Sequence, residues 1–456
     1  MVTSLKFGTS GLRGLAAELA GAESRRYAAA FLRHLRTRGP VPRLLVGRDL
    51  RASSAEIARS VIAALDVEVV DCGELPTPAL ALEAMRMAAP AIMVTGSHIP
   101  ADRNGLKFYR ADGEIDKDDE AGILAALGDA PERSIDTRPE LAALPRYLDR
   151  YARLLDAGAL RGKRIGVWQH SSVARDVFVE AVEMFGAQAI PLGRSETFIP
   201  VDTEAVAADT AARLAAWVRD HGLDALVSTD GDADRPLIVD ETGALVRGDI
   251  IGILTAKFVR ADTVVTPVTS NSSIEGMGAF RQVVRTRVGS PFVIAGMAGA
   301  AGIVVGFEAN GGVLLGSDLS INGATIAALP TRDALLPILC VLGAAEAAGL
   351  TLSQLVATLP PRIARSDRLE HVPQERTALL LRRLDADAQG FFAGQGTIAA
   401  VSTIDGMRYE FTSGDVIHYR PSGNAPELRC YTEAATAGRA DELLAWGLSA
   451  AEAVVR

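Results

Sequence analysis

Residues 43–73 read RLLVGRDLRASSAEIARSVIAALDVEVVDCG, and our interpretation of the fold rests on this stretch. It starts as a short apolar strand, passes through a polar loop containing Ser-Ser into a helix, and ends in a second strand that stops at glycine. A strand, a helix and a strand within about thirty residues form the βαβ pattern of a mostly parallel sheet. The stretch therefore predicts an α/β domain.

Two later stretches repeat this layout. Residues 163–193 read KRIGVWQHSSVARDVFVEAVEMFGAQAIPLG, and residues 262–289 read DTVVTPVTSNSSIEGMGAFRQVVRTRVG. Both carry Ser-Ser in the loop between the first strand and the helix, and the Ser and Asp residues before each helix are predicted N-caps. The repetition favours duplication, so we predict three related α/β domains in tandem.

The pattern changes after Leu335. Two helices are predicted there, the second capped by Thr351 or Ser353. From about Asp367 the chain shows short strands, with a hairpin signal at Asp405-Gly406, and then an alanine-rich helix. We therefore predict a smaller C-terminal α+β domain. The predicted domain ranges are 1–148, 149–247, 248–366 and 367–456.

Composition limits the cellular setting. The chain has 456 residues, of which 48% are hydrophobic and 23% charged, the balance of a globular protein with several domains. No long uncharged apolar run indicates a membrane span, and the N-terminus lacks the pattern of a secretory signal. The cysteines are far apart, which favours reduced thiols over a metal site or a disulfide framework. We expect a cytoplasmic protein without membrane partners.

Charge limits the partners. The formal net charge is −9 and the pI is about 5.4, which argues against nucleic acid, because binding to its phosphate backbone requires a basic face. An anionic small molecule would need arginines and lysines gathered in one cleft.

A first candidate loop follows an apolar strand in AIMVTGSHIPADRNGLKFY, residues 91–109. Ser97 is followed directly by His98, and Lys107 comes after an Asn-Gly turn. A serine beside a histidine and a lysine predicts a nucleophile with acid/base partners. The Gly-x-Ser-x-Gly elbow of hydrolases is absent because Ile99 occupies the position of its second glycine.

A second loop lies in LDALVSTDGDADRPLIVDETG, residues 223–243. Asp230, Asp232 and Asp234 alternate along it, so a tight turn can bring three carboxylates onto one hard cation. The glycine and glutamate positions of an EF-hand are missing. Three carboxylates with open positions suit Mg²⁺, which usually keeps sites for phosphoryl oxygens.

Two further loops suit a sugar and a phosphate. Glu308 and Asn310 lie between apolar runs, and a carboxylate beside an amide fits the vicinal hydroxyls of a sugar. The loop after a later strand combines arginine, hydroxyl, amide and glycine backbone, which together form a phosphate clamp. The residues of this clamp are Arg420, Ser422, Gly423, Asn424 and Arg429.

Together the loops resemble the α-D-phosphohexomutase superfamily over essentially the whole chain. The active-site pattern Thr-x-Ser-His-x-Pro, followed by Asn-Gly-x-Lys, matches Thr95 to Lys107. The metal pattern Asp-Gly-Asp-x-Asp-Arg matches Asp230 to Arg235, and the N-terminal pattern Phe-Gly-Thr-x-Gly-x-Arg-Gly matches Phe7 to Gly14.

This resemblance implies a heart-shaped protein of three α/β domains and one smaller C-terminal domain. It implies that Ser97 carries a phosphoryl group beside Mg²⁺, which the three aspartates hold with Ser97. Arg13 and Arg235 would lie near this centre, and His98 and Lys107 would be the acid/base candidates. The expected activity interconverts hexose 1-phosphate and hexose 6-phosphate through a hexose 1,6-bisphosphate, in a monomer or homodimer.

Several positions depart from the common family pattern. Gly96 stands in place of alanine, Ile99 in place of asparagine, and Asn310 and Gly312 in place of serine and histidine. Asn424-Ala425 replaces Thr-Glu. Because the sugar and phosphate loops set specificity, the identity of the sugar stays open: mannose or glucose phosphates are preferred, and phosphoglucosamine is the alternative. From other classes we weighed a non-catalytic sugar-phosphate sensor and a serine hydrolase; the hydrolase would leave the aspartates unexplained.

Overall fold

A computed structural model describes residues 4–8, 11–134, 136–360, 362–422 and 426–456. The chain divides into two compact units. The first unit comprises Met1–Val265 and Gly289–Thr358, and the second comprises Thr266–Val288 and Leu359–Arg456. The four predicted domain ranges stay predictions.

The N-terminal part of the first unit is built on a sheet of eight strands. The strands are β1 (Lys6–Phe7), β2 (Leu12–Leu15), β3 (Arg43–Arg48), β4 (Glu68–Glu74), β5 (Ala91–Val94), β6 (Arg103–Arg110), β7 (Gly113–Glu114) and β8 (Thr137–Pro139). The helices are α1 (Ala16–Leu19), α2 (Ala22–Arg36), α3 (Ser54–Ala63), α4 (Thr77–Arg86), α5 (Lys117–Ala125) and α6 (Ala143–Asp149). The strand order is β1-β2-β6-β5-β3-β4-β8, with β7 beside β6.

The first predicted βαβ unit is confirmed. Strands β3 and β4 are parallel, and β5 lies parallel to β3 on its other side. Residues Leu44, Leu45 and Val46 of β3 are all buried, as expected for a strand covered on both faces. The carboxyl ends of β3 and β5 therefore lie at one edge of the sheet, where the loops that follow them meet.

A second sheet follows in the same unit. It contains β9 (Arg164–His170), β10 (Gln188–Arg194), β11 (Ala225–Thr229), β12 (Pro236–Asp240) and β13 (Leu245–Val246), in the order β10-β9-β11-β12-β13. The helices are α7 (Val177–Met184) and α8 (Ala208–His221). The second βαβ prediction is also confirmed, because β9 and β10 are parallel. Strands β11 and β12 form an antiparallel pair whose connecting loop carries the three aspartates.

Residues 248–358 contain the next elements. The helices are α9 (Gly248–Phe258), α10 (Ser273–Gly276), α11 (Ser290–Met297), α12 (Leu335–Ala348) and α13 (Leu352–Ala357). The strands are β14 (Thr263–Pro267), β15 (Gln282–Thr286), β16 (Val304–Phe307), β17 (Val313–Leu315), β18 (Leu319–Ile321), β19 (Ala324–Ile326) and β20 (Leu329–Asp333). In the first unit β14 is parallel to β16, β17 is antiparallel to both β16 and β20, and β18 and β19 form a hairpin.

The second unit contains α10, β15 and the C-terminal region. That region holds β21 (Ile363–Leu369), α14 (Gln374–Ala386), α15 (Ala388–Phe391), β22 (Ile398–Ser402), β23 (Met407–Phe411), β24 (Val416–Pro421), β25 (Leu428–Ala434) and α16 (Ala437–Val455). Its antiparallel sheet has the order β21-β25-β24-β23-β22, and α16 packs on β21 and β25. The predicted hairpin at Asp405-Gly406 is confirmed between β22 and β23.

The predicted N-caps are wrong in one respect. Ser53, Asp176 and Ser272 do precede their helices, but none of these side chains caps the helix. Charged partners engage two of them instead: Asp176 accepts hydrogen bonds from Arg194, and Ser272 donates one to Glu433. The third predicted helix is α10, which has four residues.

Other expectations hold. Thr351 is the cap of α13 and forms a capping box with Gln354. The cysteines are free and buried. In the part of the chain that the structure describes, no helix combines the length and the apolar character that crossing a membrane requires.

Candidate active site

The loop that follows β5 carries Ser97. Because β5 is parallel to β3, Thr95 reaches Asp49 at the end of β3, and its Oγ1 donates a hydrogen bond to Asp49 Oδ2 at 2.7 Å. The same Thr95 Oγ1 accepts a hydrogen bond from the Ser97 backbone N–H at 2.8 Å. Ser97 has a φ of +53°, a left-handed conformation that a serine adopts only when its surroundings impose it. The loop is therefore held in one shape around its serine.

Arg51, from the loop after β3, supplies most of this restraint. The side chain is fully buried, its Nε lies 3.3 Å from Asp49 Oδ2, and its two Nη groups donate hydrogen bonds to backbone carbonyl oxygens. These belong to Ser97 at 2.9 Å, Ile99 at 2.6 Å, Pro100 at 2.7 Å and Arg103 at 2.9 Å. Because one planar guanidinium group binds four carbonyl oxygens, it fixes the path of the serine loop.

The loop between β11 and β12 carries the three aspartates. Asp230, Asp232 and Asp234 are all buried, and one carboxylate oxygen from each lies within 4.8 Å of the others. Ala233 has a φ of +60°, which marks the tight turn between them. The backbone N–H groups of Asp234 and Arg235 point at Asp230 Oδ1, at 3.2 and 3.3 Å. The predicted convergence of three carboxylates is what the structure shows.

The serine loop and the aspartate loop meet. Ser97 Oγ donates a hydrogen bond to Asp230 Oδ2 at 2.5 Å. Lys107 comes from β6, next to β5 in the sheet, and its Nζ lies 2.5 Å from Asp232 Oδ2 and 2.6 Å from Asp234 Oδ2. The structure thus brings the predicted nucleophile, the predicted lysine and the predicted metal ligands into one buried cluster.

Electrostatics show why this cluster needs a cation. Burial, and then the charges of Asp232 and Asp234, raise the pKa of Asp230 well above its usual range. Burial alone would lower the pKa of Lys107, but the same two carboxylates outweigh it and raise that pKa. Lys107 contacts Asp232 and Asp234, and Arg332 and Arg235 lie beside Asp234, whereas Asp230 has no cationic group at ion-pair distance among the described residues.

The donor set fits a divalent metal ion. Asp232 Oδ1 and Asp234 Oδ1 are buried and have no hydrogen-bond partner among the described residues. A buried carboxylate oxygen without a donor is costly, and coordination of a cation would remove that cost. The site therefore suits a hard cation held by the aspartate oxygens, with Ser97 Oγ beside them.

His98 contacts the serine from the next position in the chain. Its Nδ1 is 3.2 Å from Ser97 Oγ. Burial, followed by the positive charges of Arg235 and Arg13, lowers the pKa of His98 far below its usual value. His98 is thus the ring that directly contacts the serine oxygen, whereas Lys107 contacts carboxylates.

Both predicted arginines lie near this centre. Arg235 Nε is 3.7 Å from Asp234 Oδ1, an ion-pair distance without a hydrogen bond. Burial and the neighbouring charges of Arg235 and Arg332 lower the pKa of Arg13 to about 10. The Arg13 guanidinium makes no hydrogen bond or ion pair with another described residue. Two cationic groups with unused donors therefore face the serine and aspartate cluster.

The sugar-loop residues are tied to the metal loop by Arg332. Its Nη1 lies 2.7 Å from Glu308 Oε2, and its Nη2 lies 2.7 Å from Asp234 Oδ2. Asn310 is buried beside Glu308, and its Oδ1 accepts a hydrogen bond from the Gly312 backbone N–H at 3.0 Å. The carboxylate predicted for sugar hydroxyls is therefore linked, through one arginine, to a metal-loop aspartate, and the predicted amide is held by the backbone two residues further along.

The phosphate-loop residues lie in the second unit. Arg420 is the last residue but one of β24 and lies directly opposite Arg429 of β25, and Ser422 follows the end of β24. Arg420 Nε donates a hydrogen bond to Asp405 Oδ2 at 2.7 Å. The structure brings these three predicted residues together at one end of a strand pair. The predicted Gly423 and Asn424 lie outside the described residues.

Sequence reasoning missed three residues of the cluster. They are Arg51, Arg332 and Thr77, whose Oγ1 donates a hydrogen bond to Asp232 Oδ2 at 2.5 Å. Arg51 and Arg332 each stand among polar residues at the carboxyl end of an apolar strand, a signal like the one that identified the other loops. Thr77 begins a helix and offered no comparable signal.

Two departures from the common family pattern have a steric reason. A Cβ on Gly96 would lie 2.6 Å from Arg51 Cζ. A Cβ on Gly312 would lie 2.7 Å from Arg332 Cδ and 2.8 Å from the Asp234 carbonyl oxygen. Each glycine thus leaves the space that a buried arginine occupies in this chain.

Models of known protein domains match three successive parts of the chain. Models of the phosphoglucomutase/phosphomannomutase α/β/α domains I, II and III match residues 4–133, 145–243 and 247–363. The matches confirm the predicted succession of three α/β domains.

Individual relatives match over nearly the whole chain. A phosphomannomutase from Sinorhizobium fredii is 50% identical, covering 97% of this chain and 98% of the relative. One from Salmonella muenchen is 42% identical, covering 95% and 92%. The crystal structure of a phosphoglucomutase/phosphomannomutase family protein from Burkholderia thailandensis has a TM-score of 0.78 at 21% identity, covers 98% of both chains and supports the fold. The chain therefore belongs to the phosphoglucomutase/phosphomannomutase family, and it is a phosphohexomutase, an isomerase.

Proposed function

We propose that this chain interconverts hexose 1-phosphate and hexose 6-phosphate, with mannose or glucose phosphate as substrate, through a phosphorylated Ser97. The observation that carries the proposal is the 2.5 Å contact between Ser97 Oγ and Asp230 Oδ2. It places a hydroxyl nucleophile against a buried carboxylate cluster that needs a cation. Phosphoryl transfer depends mainly on positioning and charge neutralisation, and this arrangement provides both.

We assign Mg²⁺ to Asp230, Asp232 and Asp234, together with the oxygen of Ser97. The unpartnered oxygens of Asp232 and Asp234 support this assignment. When bound, Mg²⁺ supplies charge neutralisation at the phosphoryl oxygens.

The chain's own cations complete the neutralisation. A phosphoserine dianion next to three carboxylates would be strongly repelled, so positive side chains are required beside it. Arg235 and Arg13 lie close to the cluster, and the Arg13 guanidinium has no polar partner among the described residues. We assign both to the oxygens of the transferring phosphoryl group.

In the first half-reaction the phosphoryl group leaves Ser97 Oγ, which gains a proton, and bonds to a sugar hydroxyl oxygen, which loses its proton. The product is a hexose 1,6-bisphosphate. In the second half-reaction Ser97 Oγ loses its proton and takes the other phosphoryl group, and the sugar oxygen that this group leaves gains a proton. His98 and Lys107 are the candidates for these proton transfers, since His98 contacts the serine oxygen and Lys107 contacts the aspartates.

The bisphosphate must present both ends to Ser97, so the sugar contacts must serve two orientations. We assign the sugar hydroxyls to Glu308 and Asn310, which are buried and held by Arg332 and Gly312. The phosphate that is not reacting is assigned to Arg420, Ser422, Gly423, Asn424 and Arg429.

Mannose phosphate is our first choice of substrate, because the relatives at 50% and 42% identity are phosphomannomutases. We propose a cytoplasmic monomer or homodimer.

Replacement of Ser97 by alanine tests the proposal. The variant should keep less than a few per cent of the mutase rate with mannose phosphate, because no other group carries the phosphoryl. Ser134→Ala, at an exposed serine, is the control and should retain full activity. Mass spectrometry of wild-type protein incubated with hexose 1,6-bisphosphate should add one phosphate to the Ser97 peptide, and Ser97→Ala should remove that mass. A Ser97→Ala enzyme with substantial turnover would refute the phosphoserine.

A further inference from the structure

The loop between β10 and α8 contacts the active site, although the proposed function gives it no role. It comprises residues 195–207, which form neither a helix nor a strand. Irregular connections of this length are uncommon inside a compact unit and are often functional. One residue of the loop, Phe198, is half-buried against Arg51, the side chain that holds the serine loop. The support of Ser97 is therefore contacted by a separate part of the chain.

The ring of Phe198 covers one face of the Arg51 guanidinium group. Arg51 Cζ lies 4.0 Å from the centre of the ring, which is the distance of a cation–π contact. The hydrogen bonds from Arg51 to the carbonyl oxygens leave along the edge of its planar group, so the faces remain for stacking. The Arg51 side chain has no exposed surface, so the ring also helps to keep water away from these hydrogen bonds.

The edge of the same ring lies against the aspartate loop. A Cβ on Gly231, which stands between two of the three aspartates, would be 2.9 Å from Phe198 Cε2 and Cζ. The same Cβ would be 3.0 Å from the Ser97 carbonyl oxygen, to which Arg51 Nη2 donates a hydrogen bond at 2.9 Å. Phe198 therefore packs where the serine loop meets the aspartate loop.

Two hydrogen bonds after Phe198 anchor the loop that carries it. The backbone N–H of Ile199 donates one to Ser171 Oγ at 2.7 Å. Thr203 Oγ1 donates the other, at 3.0 Å, to the carbonyl oxygen of Asn310 in the sugar loop. The backbone next to the ring is thus fixed, and the ring is held on Arg51.

From these contacts we infer that Phe198 is a positioning residue for phosphoryl transfer, which fixes Ser97 Oγ relative to the aspartates by holding Arg51 in place. The inference rests on the proposed role of Ser97 as the phosphoryl carrier. Ser97 has a φ of +53°, which a serine keeps only while its surroundings impose it. Without the ring, the guanidinium can tilt and its hydrogen bonds to the serine loop weaken. A displacement of about 1 Å near a reacting atom can lower a rate about 100-fold.

Phe198→Ala in the full chain tests the positioning role. Its kcat with mannose 1-phosphate should fall about 10- to 100-fold. KM should change by less than about 3-fold, because the proposed sugar and phosphate contacts lie on other loops. Phe258→Ala, at a half-buried phenylalanine that ends α9, is the control and should keep the wild-type kcat. A wild-type kcat in Phe198→Ala would overturn the inference.

Phe198→Leu separates positioning from packing, and serves if Phe198→Ala impairs folding. Leucine keeps apolar bulk but has no aromatic face for a cation. The variant should therefore melt close to wild type while its kcat stays about 3- to 10-fold low, the range of a lost cation–π contact. Recovery of the wild-type kcat together with the stability would reduce Phe198 to packing and overturn the positioning role.

Hydrogen exchange followed by mass spectrometry measures the serine loop without turnover. In Phe198→Ala the amides of residues 95–103 should exchange about 10-fold faster than in wild type, and in Phe258→Ala at the wild-type rate. Wild-type exchange in Phe198→Ala would overturn the inference. A wild-type chain without mutase turnover would instead refute the proposed function, and the exchange rates would still decide whether Phe198 holds the serine loop.

Discussion

Replacing Arg332 by methionine should destabilise the first unit and impair turnover. This arginine is 3% exposed and holds two buried carboxylates from different loops, Asp234 and Glu308, each at 2.7 Å. Methionine fills similar space without charge, so the main loss is the pairing of the two carboxylates. Breaking a buried ion pair by removing one partner costs about 3–5 kcal/mol. Glu308 loses its cationic partner, whereas Asp234 keeps Lys107 at 2.6 Å, so we expect the lower half of that range.

The assay is thermal unfolding followed by tryptophan fluorescence, with kcat/KM measured on mannose 1-phosphate. A loss of this size should lower the unfolding midpoint of the first unit by roughly 6–10 °C. Arg332→Lys should fall between wild type and Arg332→Met, because one ammonium group does not span two carboxylates as a guanidinium does. Arg138→Ala removes an exposed arginine that lies 3.7 Å from Glu68, and should change stability by less than about 0.5 kcal/mol.

Two outcomes would contradict these expectations for Arg332. If Arg332→Met melts within about 1–2 °C of wild type, the shift expected for a surface substitution, the two carboxylates do not depend on the arginine. If it also keeps the wild-type kcat/KM, the link between the sugar loop and the metal loop has no role in turnover.

Removing divalent metal with a chelator should stop turnover, and Mg²⁺ should restore it better than Ca²⁺, whose looser coordination positions phosphoryl oxygens poorly; full activity in excess chelator would contradict this. Glu308→Ala and Asn310→Ala should change the ratio of kcat/KM between mannose and glucose phosphates, with the larger loss for Glu308. Arg420→Ala should instead lower kcat/KM for both sugar phosphates by similar factors. The opposite pattern would reverse the assignments of the sugar and phosphate loops. Burial lowers the pKa of His418 to about 4, below its unfolded value of 6.5. The stability that comes from keeping this imidazole neutral is therefore complete above pH 6.5 and is lost as the pH falls towards 4. That contribution is about 3 kcal/mol. Unfolding in urea at several pH values should show that the free energy of unfolding falls less steeply with acidification in His418→Gln than in wild type.

Much of the fold was accessible from sequence because local patterns and tertiary structure agree. Residues 43–73 show a short apolar strand, a polar loop, a helical pattern and a second strand that stops at glycine. This order predicts a βαβ unit, and β3, α3 and β4 form there. The aspartate loop could be predicted for the same reason, because carboxylates that alternate between two apolar strands strongly indicate a cation site.

The predictions that failed, and the site residues that were missed, concern side chains whose partners are distant in sequence. Ser272 is a good N-cap by residue type, but a glutamate in another element takes its hydroxyl. Arg332 gives no local sign that it bridges Asp234 and Glu308, because those contacts exist only after three strand ends have assembled. Sequence patterns indicate local conformational preference, whereas these two residues contact partners that are distant in sequence.

The contacts of Arg51 also bear on how the serine loop can evolve. Since the four hydrogen bonds that Arg51 donates to the serine loop and the start of β6 all go to main-chain oxygens, the shape of the loop depends on its backbone and little on most of its side chains. Position 99 illustrates this freedom, because its isoleucine offers Arg51 the same carbonyl that the family's usual asparagine would. Substitutions on that loop can therefore accumulate and alter which substrates the enzyme accepts, while the backbone geometry around Ser97 stays the same.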